Sequence, residues 1–425
     1  MLSKRRLLAV AAVAMTVAAG CSSSSKSSNS SNTTTSGSAS NAGSSSSGGG
    51  HTLKVGILTD VTGAAASGNK TSVQGVQAGA VIAKQDGWTI KTYVGDTATS
   101  PSTALTAAKT LVDQDHVDVV LTVSALTFGA APYLTSKDVP VVGAPEDGPE
   151  WLTAKNMFPV YGYLDTTKVS DVYGKFFKME GVTNVGALGY SISPSSAEAA
   201  KGAAVSAQSE GLKVGYINAN FPFGSTNVQP VALAMKNAGV NGFTATVDPN
   251  TGFALITALR QVGDPLKVAL LPTGYGGDLL QAGPGALQSG QGVYFGTSFE
   301  PMEMNTAATQ QLKSALAAIG ISTDPTYAEY SGYAAMALLL DALKTTGASP
   351  TKSDLLTALN NVKNYNAAGL FGSHSFNLDD RTSTATGVGP CLYVTKLSGN
   401  TFQLVPGADP ICGAEIPGKS VSPSS

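Results

Sequence analysis

Side chains able to do covalent or metal chemistry are scarce in this 425-residue sequence, which holds 3 His and 3 Cys. His51, His116 and His374 stand far apart, and their spacing offers no zinc site. Neither HExxH nor GxxxxGK[ST] occurs. The segment GYSIS (189–193) nearly matches the nucleophile elbow G-x-S-x-G, with Ser191 in the nucleophile position. Ser193 replaces the second glycine that the tight turn needs. A hydrolase built on Ser191 would have to draw on His374, so a secreted Ser hydrolase stays only as a minor alternative. GYGGDL (274–279) lacks the last glycine of a dinucleotide fingerprint. The expectation is a chain that is not an enzyme, with no cofactor and no metal.

Composition narrows the class further. With 26 Lys+Arg against 28 Asp+Glu and no basic cluster beyond the extreme N-terminus, nothing resembles a nucleic-acid surface. Hydrophobic residues make up 42% and charged residues 13%, so the bulk of the chain is not a disordered polyelectrolyte. The length exceeds what one hydrophobic core serves, which predicts at least two lobes.

The N-terminus reads as an export signal. Lys4, Arg5 and Arg6 precede an apolar run from Leu7 to Gly20, shorter than the roughly 20 residues that span a bilayer. The run closes in AAGC, a bacterial lipobox pattern that predicts cleavage of residues 1–20 and lipidation of Cys21. Removing the signal takes away three positive charges, and 23 minus 28 leaves about −5 for the mature chain. Attachment to the membrane would therefore come from acyl chains and not from electrostatics. Residues 21–51 are Ser-rich without apolar periodicity, which predicts a flexible tether. In an exported chain the two remaining cysteines, Cys391 and Cys412, can form a disulfide around the closing hairpin.

From Thr52 onward, β-branched runs alternate with helical patterns. LKVGILT (53–59), WTIKTYVGD, VDVVLTV (117–123) and VPVVGAP (139–145) read as strands separated by helices. After a helix at about 166–180 the pattern restarts with NVGALGY (184–190), KVGYINA (213–219), GFTATVD and KVALLPT (267–273). Helical stretches at 306–319, 326–346 and 351–363 follow, and an apolar hairpin ends the pattern. Repeated βα crossover implies α/β lobes with parallel sheets covered on both faces.

In such sheets ligands sit at the carboxyl ends of strands. That rule selects the Gly-rich loop 59–68 with Thr62 and Ser67. It also selects Ser124, Ala125 and Leu126 at a helix start, where N–H groups and a hydroxyl could hold a carboxylate; Ser124 could equally be a plain N-cap. Glu146 and Asp147 could hold an ammonium, a hydroxyl or an amide, or be solvated surface charge. On the second lobe the rule selects Tyr190, Ser191 and Ser193, then Phe221, Asp248 and Asn250, then Thr273 and Tyr275. Tyr190 and Tyr275 could stack on a ligand or pack at the lobe surface.

Four stretches in order carry a resemblance: KVGILTDVTGAAASG, TALTAAKTLVDQDHVDVVLTVSA, VPVVGAPEDGPEWLT and YSGYAAMALLLDALKTTG. From about 53 to 412 the chain resembles the type I periplasmic-binding-protein family, which includes the branched-chain amino acid (leucine-binding-protein-like) receptors of ABC transporters. The resemblance implies two Rossmann-like lobes joined by three crossovers, near 163–168, 296–300 and 364–370. Lobe 1 would take 52–165 and 298–366, lobe 2 would take 166–297 and 367–413, and 414–425 would be a disordered tail. It implies a lipid-anchored, extracytoplasmic monomer that closes on a small polar solute, an amino acid or a related amide or organic acid. A membrane ABC permease with a separate ATPase chain would receive the solute. Ligand sensing without transport is the alternative. By the same likeness the Ser124 loop would grip a ligand carboxylate. Where the amino acid receptors place an acidic residue against the ligand ammonium, this chain has Thr273 or Gly274. An α-amino acid then needs Glu146, Asp147 or Asp248 as a substitute.

Overall fold

The computed structural model describes residues 51–263, 266–282, 285–381 and 389–422. The first sheet holds β1 (His51–Thr59), β2 (Trp88–Asp96), β3 (Val119–Val123), β4 (Val141–Gly143) and β5 (Met157–Pro159), all parallel, in the order β2-β1-β3-β4-β5. The inner strands are covered on both faces, so they read as unbroken apolar runs; all five residues of β3 are buried, whereas the edge strand β2 is partly exposed. His51, assigned above to the tether, is instead the first residue of β1, paired with Trp88. The three-residue β5 has no sequence signal of its own and is held by register with β4.

The chain then crosses to a second sheet. After a short strand, β6 (Lys168–Ser170), come β7 (Asn184–Tyr190), β8 (Lys213–Phe221), β9 (Gly242–Thr246), β10 (Val268–Leu271) and β11 (Tyr294–Thr297). After the late helices, β12 (Cys391–Ser398), β13 (Thr401–Leu404) and β14 (Ile411–Cys412) complete it. Its order is β13-β12-β11-β10-β9-β7-β8, with β14 on β12; β12 is antiparallel to β11, β13 and β14, and the path from β11 to β8 is parallel. A disulfide links Cys391 to Cys412, which face one another in the β12–β14 register.

The chain returns from β11 to the first sheet before β12. The helix Tyr327–Leu343 lies on the helix Ser72–Gln85, and glycine makes that approach possible. A Cβ on Gly75 would stand 2.2 Å from the Glu329 carbonyl oxygen, and one on Gly332 would stand 2.4 Å from that of Ser72. A Thr326/Glu329 capping box starts the long helix.

Two expectations differ from the structure. The stretch 166–180 is β6 followed by the helix Val172–Met179, not one helix. The tail expected to be disordered instead forms β15 (Glu415–Ser420), antiparallel to β6. Backbone pairing holds it, with Asp171 N–H on the Ala414 carbonyl and Val421 N–H on Thr167. Both strands are edge segments with little apolar content, so no periodicity announces them.

In each sheet the strand order reverses next to the first strand. β1 lies between β2 and β3, and β7 lies between β8 and β9. The loops leaving β1 and β3 therefore diverge over a crevice, as do those leaving β7 and β9. The site follows from these two switch points.

Candidate functional site

A cavity of about 430 Å³ lies where the carboxyl ends of the two sheets face each other. Ala65, Asn69, Ala125, Glu146, Tyr161 and Tyr327 wall it from the first lobe. Tyr190, Ser193, Phe223, Asp248 and Thr273 wall it from the second. The lobes touch around it. The Asp147 carbonyl accepts hydrogen bonds from Ser193 Oγ (3.3 Å) and Ser195 N–H (3.4 Å) at the start of the helix Pro194–Ser209. Gly224 meets Ala64 so closely that a Cβ there would stand 2.5 Å from the alanine methyl.

Six of the residues selected from the sequence line the cavity: Ala125, Glu146, Tyr190, Ser193, Asp248 and Thr273. The others do not. Thr62 is exposed and binds Asp96 through Oγ1 (2.7 Å). Leu126 is core. Ser191 is exposed, its N–H on the Phe221 carbonyl. His374 Nε2 stands 3.9 Å from Cys391 Sγ and its Nδ1 is buried without a partner, so no hydrogen-bonded Ser191–His374 dyad forms among the described residues. Ser67 lies beside the cavity lining with a buried, unpartnered hydroxyl.

Three outcomes change the chemistry anticipated above. Ser124 is fully buried and donates to Asp60 Oδ1 (2.9 Å), while Ala125 N–H donates to Asp60 Oδ2 (2.9 Å). Asn69 Nδ2 (2.8 Å) and the Thr97 hydroxyl complete four donors on this one carboxylate. The turn expected to grip a ligand carboxylate thus already holds one from its own chain. Asp147 is buried beneath the wall, accepting from Phe128 N–H (2.7 Å) and Trp151 Nε1 (3.0 Å). Its side chain is structural, and only its backbone carbonyl reaches the second lobe. Tyr275 is buried away from the cavity, donating to Glu303 Oε2 (2.6 Å) and packed edge-on against Phe402.

Asp248 is the N-cap of the helix Pro249–Gln261, accepting from Thr251 N–H (3.1 Å). The Tyr190 hydroxyl also donates to it, which fixes the ring on the cavity wall. Burial, then the Asp248 charge, push the Tyr190 phenol well above its ordinary range. Glu146 differs from both aspartates. Its Oε1 is buried without a partner. Burial pushes its carboxyl up to about 8, helped by the charges of Asp60, Asp147 and Asp278 and opposed by a hydrogen bond from Tyr327. Near neutral pH Glu146 is therefore mostly protonated.

Sequence reasoning passed over Asp60, Asn69, Tyr161, Phe223 and Tyr327. Asp60 directly follows β1, so the strand-end rule reaches it. Tyr161 follows β5, which carries no pattern, and Tyr327 arrives from a helix far along the chain.

A family model described as periplasmic binding protein matches residues 52–401. The chain belongs to the periplasmic binding protein family. No curated protein sequence matches it. Among solved structures, a leucine-binding protein from Thermotoga maritima is similar at 17% identity, with a TM-score of 0.67 over 83% of this chain and 97% of that one. A solute-binding protein of an ABC transporter from R. palustris, in complex with 4-hydroxybenzoate, is 16% identical, with a TM-score of 0.69 over 88% and 98% of the two chains. A substrate-binding periplasmic protein from Ralstonia solanacearum is 17% identical, with a TM-score of 0.71 over 83% and 100%. These likenesses establish the two-lobed type I fold. Membership of this family places the chain among extracytoplasmic binding proteins. No helix among the described residues is long and apolar enough to cross a membrane.

Proposed function

We propose that this periplasmic binding protein captures a small polar solute between its lobes and presents the closed form to an ABC permease, whose ATPase is a separate chain. The observation that carries the reading is the cavity walled from both sheets at their paired switch points. A solute there touches both lobes at once, so it favours the closed arrangement by its differential affinity for it. Asp147 against Ser193 and Ser195 supplies protein contacts that accompany closure.

Export with lipid attachment at Cys21 keeps the receptor beside its permease; the signal and the Ser-rich segment up to residue 50 lie outside the described residues. This reading makes the protein a binder: the described cavity walls offer carboxyls, hydroxyls and aromatic faces for holding a solute. Solution scattering on protein stripped of ligand by partial unfolding, then given back its co-purified solute, tests the reading. The radius of gyration should fall at saturation. An unchanged radius with the solute demonstrably bound would end the closure mechanism.

A further inference from the structure

The geometry points to a ligand that carries a cationic amine and presents it to Glu146. This rests on the receptor reading above and names the chemical class that receptor takes.

The first support is the fate of the anion-receptive groups around the cavity. Strand ends in α/β sheets gather backbone N–H groups and helix N-termini, which favour anions. Here each of three such groups is already taken by the protein itself. Asp60 occupies Ser124 Oγ and Ala125 N–H. Asp248 caps the helix Pro249–Gln261. Ser193 Oγ and the Asp147 carbonyl satisfy the first amides of the helix Pro194–Ser209. A ligand carboxylate would find these donors occupied and carboxylates beside them.

The second support is what the cavity leaves open. Glu146 lines the cavity, and its Oε1 is a buried acceptor with no hydrogen-bond partner among the described residues. Such a group costs stability unless something donates to it. Lys168 is the one basic side chain among the described lining residues, and it is exposed. The wall is also aromatic. Tyr161 and Tyr327 lie with ring centroids 6.0 Å apart, and Phe223 meets Tyr190 at 4.7 Å. Aromatic faces around an acid receive a desolvated ammonium well. Glu146 faces Asp60, Asp147, Asp278, Tyr161 and Tyr327, and none of these groups is a cation.

The test uses matched probes on the stripped mature protein: isoamylamine against 4-methylpentanoate, tyramine against 3-(4-hydroxyphenyl)propanoate, and leucine and tyrosine carrying both groups. Calorimetry near neutral pH should find an amine that binds more tightly than its carboxylate partner and than the zwitterion. Because Glu146 must ionise against the ammonium, amine binding should release a proton, seen as heats that change with buffer ionisation enthalpy. Glu146→Gln should weaken the amine by about 30-fold or more and abolish the proton release, while its thermal midpoint is no lower than that of the parent.

A carboxylate or zwitterion that outranks the amines overturns the inference and leaves the receptor reading intact. So does a co-purifying solute that proves anionic. Failure of every amine probe to bind overturns it as well. Amine binding without compaction in scattering would instead uphold the ligand class and sink capture by closure.

Discussion

Replacing Glu146 by Gln should make the ligand-free protein more stable, with a defined pH signature. The carboxyl is pushed up to about 8 from an ordinary value of 4.5, burial being the largest cause and the surrounding acids the next. A group raised in this way binds more protons in the folded state than in the unfolded state between those two values. Stability therefore falls as pH rises through that window and levels off above it, by about 1.4 kcal/mol per pH unit for this one group. At pH 7 the unscreened cost approaches about 3 kcal/mol, and because Glu146 faces the cavity a figure of about 1–3 kcal/mol is expected. Gln keeps the shape and removes the charge. The assay is urea unfolding of both proteins without ligand at several pH values from about 5 to 8.5. The difference should be smallest at the acid end, grow with pH and flatten above about 8. Asp147, Glu150 and Asp278 are also raised by burial and are present in both proteins, so only the coupling of Asp147 and Asp278 to Glu146 enters the difference. A difference that does not vary with pH, or a Gln variant that is less stable throughout, would refute the reasoning.

Asp60→Ala should do the opposite, because it strands the four donors now held by one carboxylate. A loss of about 3–5 kcal/mol is expected, as midpoint shifts in urea, with partial rescue by acetate and not by chloride. Indifference to acetate would argue against a preformed anion site at Ser124 and Ala125. Ser193→Ala removes both a helix N-cap and a contact between lobes; it should cost about 1 kcal/mol and enlarge the ligand-free radius in scattering, and an unchanged radius would show that this contact does not bias closure. Thiol titration of denatured, unreduced mature protein should find neither Cys391 nor Cys412 free. Reduction should lower stability by about 3 kcal/mol for a closed loop of this length.

The strand ends were legible because parallel β-strands covered on both faces must be apolar along their length, and helices must return between them. That local pattern places Ser193 and Asp248 ahead of helices that begin with proline, and both cap those helices. It places Glu146 at the end of a strand as well. It cannot say which polar groups at a strand end stay free. Ser124 and Asp60 are separated by 64 positions and meet only because β1 and β3 are neighbours at a switch point. Tyr190 ends β7 and Tyr275 follows β10, yet packing against Phe402 and Glu303 turns Tyr275 away from the cavity.

The sequence by itself determined the alternation of elements, the two-sheet plan, the cysteine pair and the strand ends that wall the cavity. All of these follow from backbone periodicity and short-range capping, which act over a few residues. Only the tertiary structure decided that three anion-receptive groups at the cavity are already occupied, that Glu146 keeps an unpartnered oxygen, and that Tyr161 and Tyr327 complete the wall. Those facts depend on which side chains the sheet order brings within hydrogen-bonding distance, and no local pattern along the chain encodes that proximity.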